Sequence, residues 1–393
     1  MNDRLELAPD RFARRILASC AVVLVFAGIS LPSTMASEEA APTSSATDSP
    51  AHGRPGVLSV RDLFVAAPFD ECHASTLVET ERGILVAFFA GTSEGHADVG
   101  IWLSRIEGGE PSPPVEIANG IQHEDLRYPC WNPVLYAVDS KRLLLFYKVG
   151  PSPSAWWGML TESRDAGATW SEPRRLPETI LGPVRNKPIL LEDGSLLCPS
   201  STEDNGWQVH FEITRDLGRT WKRVGPVNDG KEFGAIQPTL LELGGSKLAA
   251  LCRSRQGRIV RVDSEDGGLT WSPMRATALP NPNSGIDAVT LDDRRHLLVY
   301  NHSVRRGPFP SGREILNVAV SDDAETWKSA VVLERSAGEH SYPAVIQTRD
   351  GNAHITYTWK RRRIRHVVLD PRAVELEPIA ADEGSEGQAP SGR

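Results

Sequence analysis

A chain of 393 residues has room for one large all-β domain or two ordinary ones, and 40% hydrophobic with 24% charged residues is the composition of a soluble globular protein rather than a disordered or fibrous one. A formal net charge of −8 argues against nucleic acid or an anionic membrane surface as partner. Frequent Gly (33), Pro (29) and Trp (10) point to many turns and many aromatic packing units, as in all-β structure.

In chain order, residues 1–36 read as a cleaved export signal. Arg11, Arg14 and Arg15 form a positive segment, Ile16 to Leu31 is apolar, and Ser33-Thr-Met-Ala36 offers the small residues of a peptidase site. The apolar stretch is short for a stable membrane span and no second candidate follows. Cleavage near Ala36 and a periplasmic or secreted mature form without a membrane span are therefore expected. Cys20 stands at the start of the apolar run rather than its end, which argues against a lipid anchor. Residues 37–56, rich in Ala, Ser, Thr, Pro and Glu, carry too few large apolar groups to order themselves and read as a disordered linker. The remaining cysteines, Cys72, Cys130, Cys198 and Cys252, lack metal-site spacing. Four buried thiols are one reading. A Cys72–Cys130 bridge is another, because both precede adjacent repeat strands and export implies an oxidising compartment.

From residue 57 the sequence repeats. A strand opening followed by a hairpin starts at Ala74, Pro133, Pro188, Pro238, Ala288 and Pro343, at spacings of 50 to 59 residues. A turn motif occurs four times, as Ser163-Arg-Asp165-Ala-Gly167-Ala-Thr169-Trp170, Thr214-Arg-Asp216-Leu-Gly218-Arg-Thr220-Trp221, Ser264-Glu-Asp266-Gly-Gly268-Leu-Thr270-Trp271 and the shortened Ser321-Asp-Asp323-Ala-Glu-Thr326-Trp327. In each, Asp folds back on the backbone, while Thr and Trp pin the turn to the sheet. The motif falls between the third and fourth strands of the second to fifth copies. Six copies of a four-stranded unit, each unable to bury both faces alone, predict an all-β, six-bladed β-propeller over residues 57–373. The sixth copy runs out of chain after its third strand, Arg363–Leu369. The extended stretch Val57–Val65 is expected to supply the missing outer strand and close the ring. Residues 374–393, acidic and containing Gly, Ser and Pro, read as a disordered tail.

The turn motif resembles the Asp box of BNR-repeat proteins, and residues 57–370 are similar to the sialidase (neuraminidase) superfamily. That resemblance implies a sialidase-like propeller whose boxes brace blades away from the active site, and whose catalytic residues stand where the innermost strands begin. Carried over residue by residue, the family's opening Phe-Arg-Ile-Pro corresponds to Cys72-His73-Ala74-Ser75, so His73 stands for an Arg. Asp98 matches the acid/base Asp in placement. Gln237 stands for the Glu that activates the nucleophile, Arg253 and Arg313 match two arginines that grip the substrate carboxylate, and Tyr342 in His340-Ser-Tyr342-Pro matches the nucleophilic Tyr.

Sialidases depart from paired-carboxylate glycosidases by using a Tyr nucleophile. A phenol is a poor nucleophile near its free pKa of about 10 and needs a base beside it. Gln237 cannot take a proton; Glu339, Glu232 or His73 are the candidates that remain, and a His73–Tyr342 pair between the first and last blades would serve nucleophile activation or a lyase reaction. Arg253 and Arg313 could hold a carboxylate by charge-assisted bonds. With one family Arg missing, a uronic acid stands beside sialic acid as substrate. Asn132, Arg185 with Lys187, and Asp287 would complete a polar pocket, and Trp131, Trp156, Trp157 and Trp359 could stack on sugar faces. The run Lys360–Arg363 reads as a solvated turn. Gly91-Thr-Ser93-Glu-Gly95 spells a nucleophile elbow, but that motif needs a strand-to-helix turn the repeats deny. No HExxH, Walker loop or His cluster is present, so neither metal nor cofactor is expected. The leading expectation is a monomeric, exported exo-glycosidase acting on an acidic glycan. A non-catalytic glycan-binding propeller and a polysaccharide lyase using His73 and Tyr342 are the alternatives.

Overall fold

The segments Gly83–Gly91, Leu143–Val149 and Lys247–Ser254 are apolar or small at most positions, so neither face of the strand each forms can be left in water. In the computed structural model, which describes residues 49–305 and 311–379, all three are second strands of antiparallel sheets and are buried nearly end to end. The sheets follow one another along the chain as six blades. Their first strands are Glu71–Thr80, Cys130–Ala137, Ile189–Leu190, Ala235–Gly244, Asp287–Thr290 and His340–Gln347. Those of blades 4, 5, 6, 1 and 2 pack side by side in that order, which wraps the sheets around a common axis. The fold is a six-bladed all-β propeller, as the repeats predict.

Closure occurs where expected. Val57–Asp62 pairs antiparallel with Arg363–Leu369 as the outer strand of blade 6, so the start of the propeller completes its last blade. The join is also electrostatic. Asp62 accepts bonds from Arg365 Nε and Arg363 Nη1, both at 2.9 Å, and Arg365 Nη1 reaches Glu334 Oε1 in blade 5 at 2.6 Å. Tyr357 donates its hydroxyl to the same Glu334 oxygen at 2.7 Å. Between each neighbouring pair of blades lies an apolar cluster, for example Ala87, Ile101, Leu135 and Leu145 between blades 1 and 2.

The turn motifs sit between third and fourth strands. Asp165 Oδ1 accepts from Ser163 Oγ at 2.8 Å and from the Thr169 amide at 2.9 Å, while Oδ2 accepts from the Thr169 hydroxyl. Asp216 and Asp266 repeat the pattern. Trp271 then stacks on Phe211 with centroids 3.9 Å apart, pinning the blade 4 turn onto blade 3.

Two boundaries shift, and the cysteines take the first of their two readings. Residues 49–56 are ordered: Ser49 Oγ donates to Leu333 O at 2.7 Å, and Ala51 is fully buried against blades 5 and 6. A small side chain can fill an inter-blade space that composition alone does not reveal. At the other end, Glu377–Pro378 pairs with Lys328 and Ser329 and extends blade 5 beyond residue 373. No Cys72–Cys130 bridge forms. All four cysteines are free and buried, Cys72 between blades 6 and 1 and Cys130 between blades 1 and 2. The export signal over 1–36 with Cys20, linker residues 37–48 and tail residues 380–393 lie outside the described residues.

Candidate active site

Four first strands carry a β-bulge at the same place. Their pairing slips between His73 and Thr76, Trp131 and Val134, Ile236 and Thr239, and Ser341 and Ala344. Inside each bulge one residue adopts the left-handed backbone: Ala74 (φ 55°), Asn132 (39°), Gln237 (56°) and Tyr342 (52°). Such backbone is unfavourable for residues with a Cβ, and it concentrates at functional sites. In three of the four the next residue is proline, which has no N–H to lose from the ladder.

Tyr342 is the centre of the resulting cluster. Its Oη accepts a hydrogen bond from Arg253 Nη1 at 2.6 Å. Arg253 is held in turn by Asn283 Oδ1 (2.9 Å) and Gln237 Oε1 (3.3 Å). The guanidiniums of Arg185, Arg253 and Arg313 lie 5.3, 5.6 and 5.6 Å from the Tyr342 ring centroid. Gly285 backs the ring: a Cβ there would stand 3.2 Å from Tyr342 Cγ with two more ring atoms at 3.4 Å, so a side chain at this position would require the ring to shift by a few tenths of an ångström.

His73 packs against Tyr342 with ring centroids 4.2 Å apart. It is buried, and among the described residues neither ring nitrogen has a hydrogen-bond partner. Burial and then the Arg361, Arg313 and Arg185 charges push its pKa well below the ordinary imidazole value, so the ring is neutral. Glu339 Oε1 lies 4.0 Å from His73 Nε2. That carboxylate also accepts from Arg313 (2.7 Å), Arg361 (2.8 Å) and Ser341 Oγ (2.6 Å). Burial works against its charge, yet His73, Arg313, Arg361 and the Ser341 hydroxyl beside it hold it well below the usual carboxylate range. Arg361 continues to Glu94 Oε2 at 2.6 Å.

Beneath this cluster the axis is plugged. Arg185, fully buried, donates to Ser75 O in blade 1 at 3.1 Å and to Pro343 O in blade 6. Lys187 Nζ reaches both Asp287 oxygens at 2.9 Å, and Asp287 also accepts from Thr239 Oγ1 and the Val345 amide. Arg185, Lys187 and Asp287 therefore tie blades 1, 3, 4, 5 and 6 together. Most of their polar groups are engaged within the protein, while Arg185 Nε, buried beside the Tyr342 ring, has no partner among the described residues. Asn132 is buried in its bulge, with no side-chain hydrogen bond among the described residues.

Asp98 stands apart from the cluster. Its carboxylate accepts from the Thr92 amide (3.0 Å) and hydroxyl (2.6 Å) and lies 2.8 Å from His96 Nδ1. Against a small burial cost, these bonds hold it below the ordinary value, so it is ionised and employed in bracing its own loop. Nor do Trp131 and Trp359 offer free faces. Trp131 is buried and donates to Gly150 O, and Trp359 is buried beside His340, Lys360 and Arg365.

The family model described as the BNR repeat-like domain matches residues 82–355, most of the propeller. The chain belongs to the BNR repeat-like domain family. No curated protein sequence matches this BNR-repeat protein. Among solved structures it is similar to a protein of unknown function from Dyadobacter fermentans (17% identity, TM-score 0.66, covering 82% of this chain and 100% of that one). It also resembles the NanB sialidase of Streptococcus pneumoniae (12%, 0.65, 81% and 71%) and the intramolecular trans-sialidase of Ruminococcus gnavus (12%, 0.64, 82% and 99%). At such identities the likeness establishes a sialidase-like fold.

The structure brings Tyr342, His73, Gln237, Arg253 and Arg313 of this BNR-repeat protein into one basin, with Glu339 among them. Sequence reasoning passed over Arg361, Asn283 and Glu203. Arg361 lies in a turn that the sequence presents as solvated; in the structure Lys360 and Arg361 both take positive φ and the arginine turns back to Glu339. Glu203 sits in the loop Thr202–Trp207 beside Arg253 and Arg255, and burial raises its carboxyl above the ordinary value. Nothing in the repeat pattern marks that loop.

Proposed function

We propose that this protein is an exported, sialidase-type exo-glycosidase that takes a terminal acidic sugar into the axial basin. The reading rests on one observation: Arg253 Nη1 donates to Tyr342 Oη at 2.6 Å, inside a ring of guanidiniums around a phenol held in strained backbone. Arg253 stabilises the negative charge that develops on Oη as its proton leaves, and with Arg313 it offers charge-assisted donors to a substrate carboxylate. His73, neutral and packed on Tyr342, is the base in place of the amide Gln237, and Glu339, 4.0 Å from Nε2, stabilises the imidazolium. Export is supported by the charged and apolar pattern of residues 11–36.

The test is turnover of 4-nitrophenyl glycosides of N-acetylneuraminic acid and of glucuronic acid by the purified chain and its Tyr342→Phe variant. Release of nitrophenol from one of the two, lost in the variant, is the expected result. A second reading, glycan binding without turnover, is favoured by Gln237 and by the pairing of Arg313 with Glu339. Calorimetric binding of either free sugar with no hydrolysis of its glycoside would establish it instead.

A further inference from the structure

Beside the basin, between blades 2 and 3, runs a cavity of about 270 Å³ lined among others by Trp156, Trp157, Arg175, Leu181, Glu203 and Arg223. Trp157 is half-buried, with the Arg175 guanidinium 4.7 Å from its ring. Trp156 packs on Trp131, and with Leu181 and Val184 they form a small apolar cluster one residue from the axial Arg185. The cavity and the basin share one titratable wall. Glu203 lines the cavity, and it also neighbours Trp207, whose ring lies 5.3 Å from the guanidinium that bonds Tyr342 and 4.1 Å from Arg255.

We infer that this cavity holds the sugar on the leaving side of the scissile bond, and that Glu203, at its junction with the basin, donates the proton to the departing oxygen. The inference rests on the glycosidase reading of the axial basin and places the proton donor at Glu203, since Asp98 is hydrogen-bonded to Thr92 and paired with His96 in its own loop. The groups facing Glu203 are Arg253, Arg255 and Glu94 together with Trp207; burial outweighs the two arginines and keeps the carboxyl protonated further toward neutral pH than an ordinary Glu.

The chemistry balances. Tyr342 gives its proton to His73 as Oη bonds to the anomeric carbon; the glycosidic C–O bond breaks with its electron pair on the leaving oxygen, which takes the Glu203 proton. In the second step the Glu203 carboxylate takes a proton from water, whose oxygen bonds to the anomeric carbon, and Tyr342 departs and recovers its proton from His73. One water is consumed, and the enzyme is restored.

A proton donor matters most when the leaving group is poor. Glu203→Gln should therefore lower kcat/KM about a hundredfold or more on methyl glycosides of N-acetylneuraminic or glucuronic acid, at the scale of general acid catalysis. On the 4-nitrophenyl glycosides kcat/KM, set by the first step, should change little while kcat falls with the slowed second step, and the alkaline limb of the kcat/KM profile on the methyl glycosides should disappear. Glu203→Asp, which keeps the acid but shortens its reach, should fall between. Trp157→Ala should raise KM for a disaccharide glycoside while leaving the methyl glycoside, which has no second sugar, unchanged. Equal losses on both leaving groups with an unmoved pH profile would overturn the role of Glu203, and an unchanged disaccharide KM would overturn the subsite. If the wild-type chain hydrolyses no such glycoside, the glycosidase reading falls and this inference with it. Turnover that depends on Tyr342 but ignores Glu203 and Trp157 removes this inference alone.

Discussion

At Arg253 a single side chain meets Tyr342, Gln237, Asn283 and the Trp207 face, so its loss is felt at the nucleophile and at the substrate carboxylate together. A hydrogen bond from a charged donor contributes about 1.5–3 kcal/mol. Arg253→Met should accordingly reduce kcat/KM on the acidic glycoside roughly tenfold to a hundredfold, measured by initial rates below KM. His73→Gln tests a different property. A base with a depressed pKa works down to pH values below the usual imidazole range, so wild-type activity should persist on the acidic side of about pH 6.5. The variant should lose about a hundredfold or more in kcat while its KM changes little, read from full rate profiles across pH. Tyr342, Arg253 and His73 were legible in the sequence because the repeat fixes where each inner strand begins. The bonds of Asp98, Arg185 and Asp287 were not legible: strand position does not say that Thr92, Pro343 O or Lys187 engages these side chains.

At the scale of the element, the turn motif and the bulge divide the labour. The motif was readable because its chemistry is local: Asp216 satisfies the amides of Arg219 and Thr220 and both flanking hydroxyls within seven residues. The bulge was not, because Asn132-Pro, Gln237-Pro and Tyr342-Pro look in the sequence like ordinary strand openings, and only the paired neighbour reveals the slipped register. The separation has a consequence that can be measured. Asp216→Ala leaves two amides and two threonine hydroxyls without their acceptor at an exposed turn, a loss of about 1–3 kcal/mol. A thermal midpoint lower by several degrees is expected, followed by circular dichroism, with kcat and KM unchanged because the basin is built at strand starts. A parallel fall in kcat would mean that the boxes hold the site as well as the blades.

Across the whole molecule, closure gathers buried titratable groups whose ionisation the unfolded chain does not resist. Burial holds His73, His296 and His354 below the ordinary imidazole value and brings His340 to about 4 and His366 to about 3. Once unfolded, the same residues take up protons near pH 6.5. Below that pH the unfolded state binds more protons than the native one, so stability falls as the solution is acidified. The box carboxylates add a second loss of the same sign. Hydrogen bonds from their own turns bring Asp165 and Asp216 to about 2, and Asp323 reaches about 2 when its turn bonds outweigh burial, whereas an unfolded Asp protonates near pH 3.9. Glu334 and Glu203, both raised by burial, act in the opposite direction but are outnumbered. The thermal midpoint should therefore drop in two stages between pH 7 and pH 2, the first below about pH 6.5 and the second below about pH 4. His366→Gln should shrink the first stage and leave the second, and Asp216→Asn should do the reverse. A midpoint that stays level down to pH 4 would show that the buried histidines keep their ordinary affinity for protons in the closed ring.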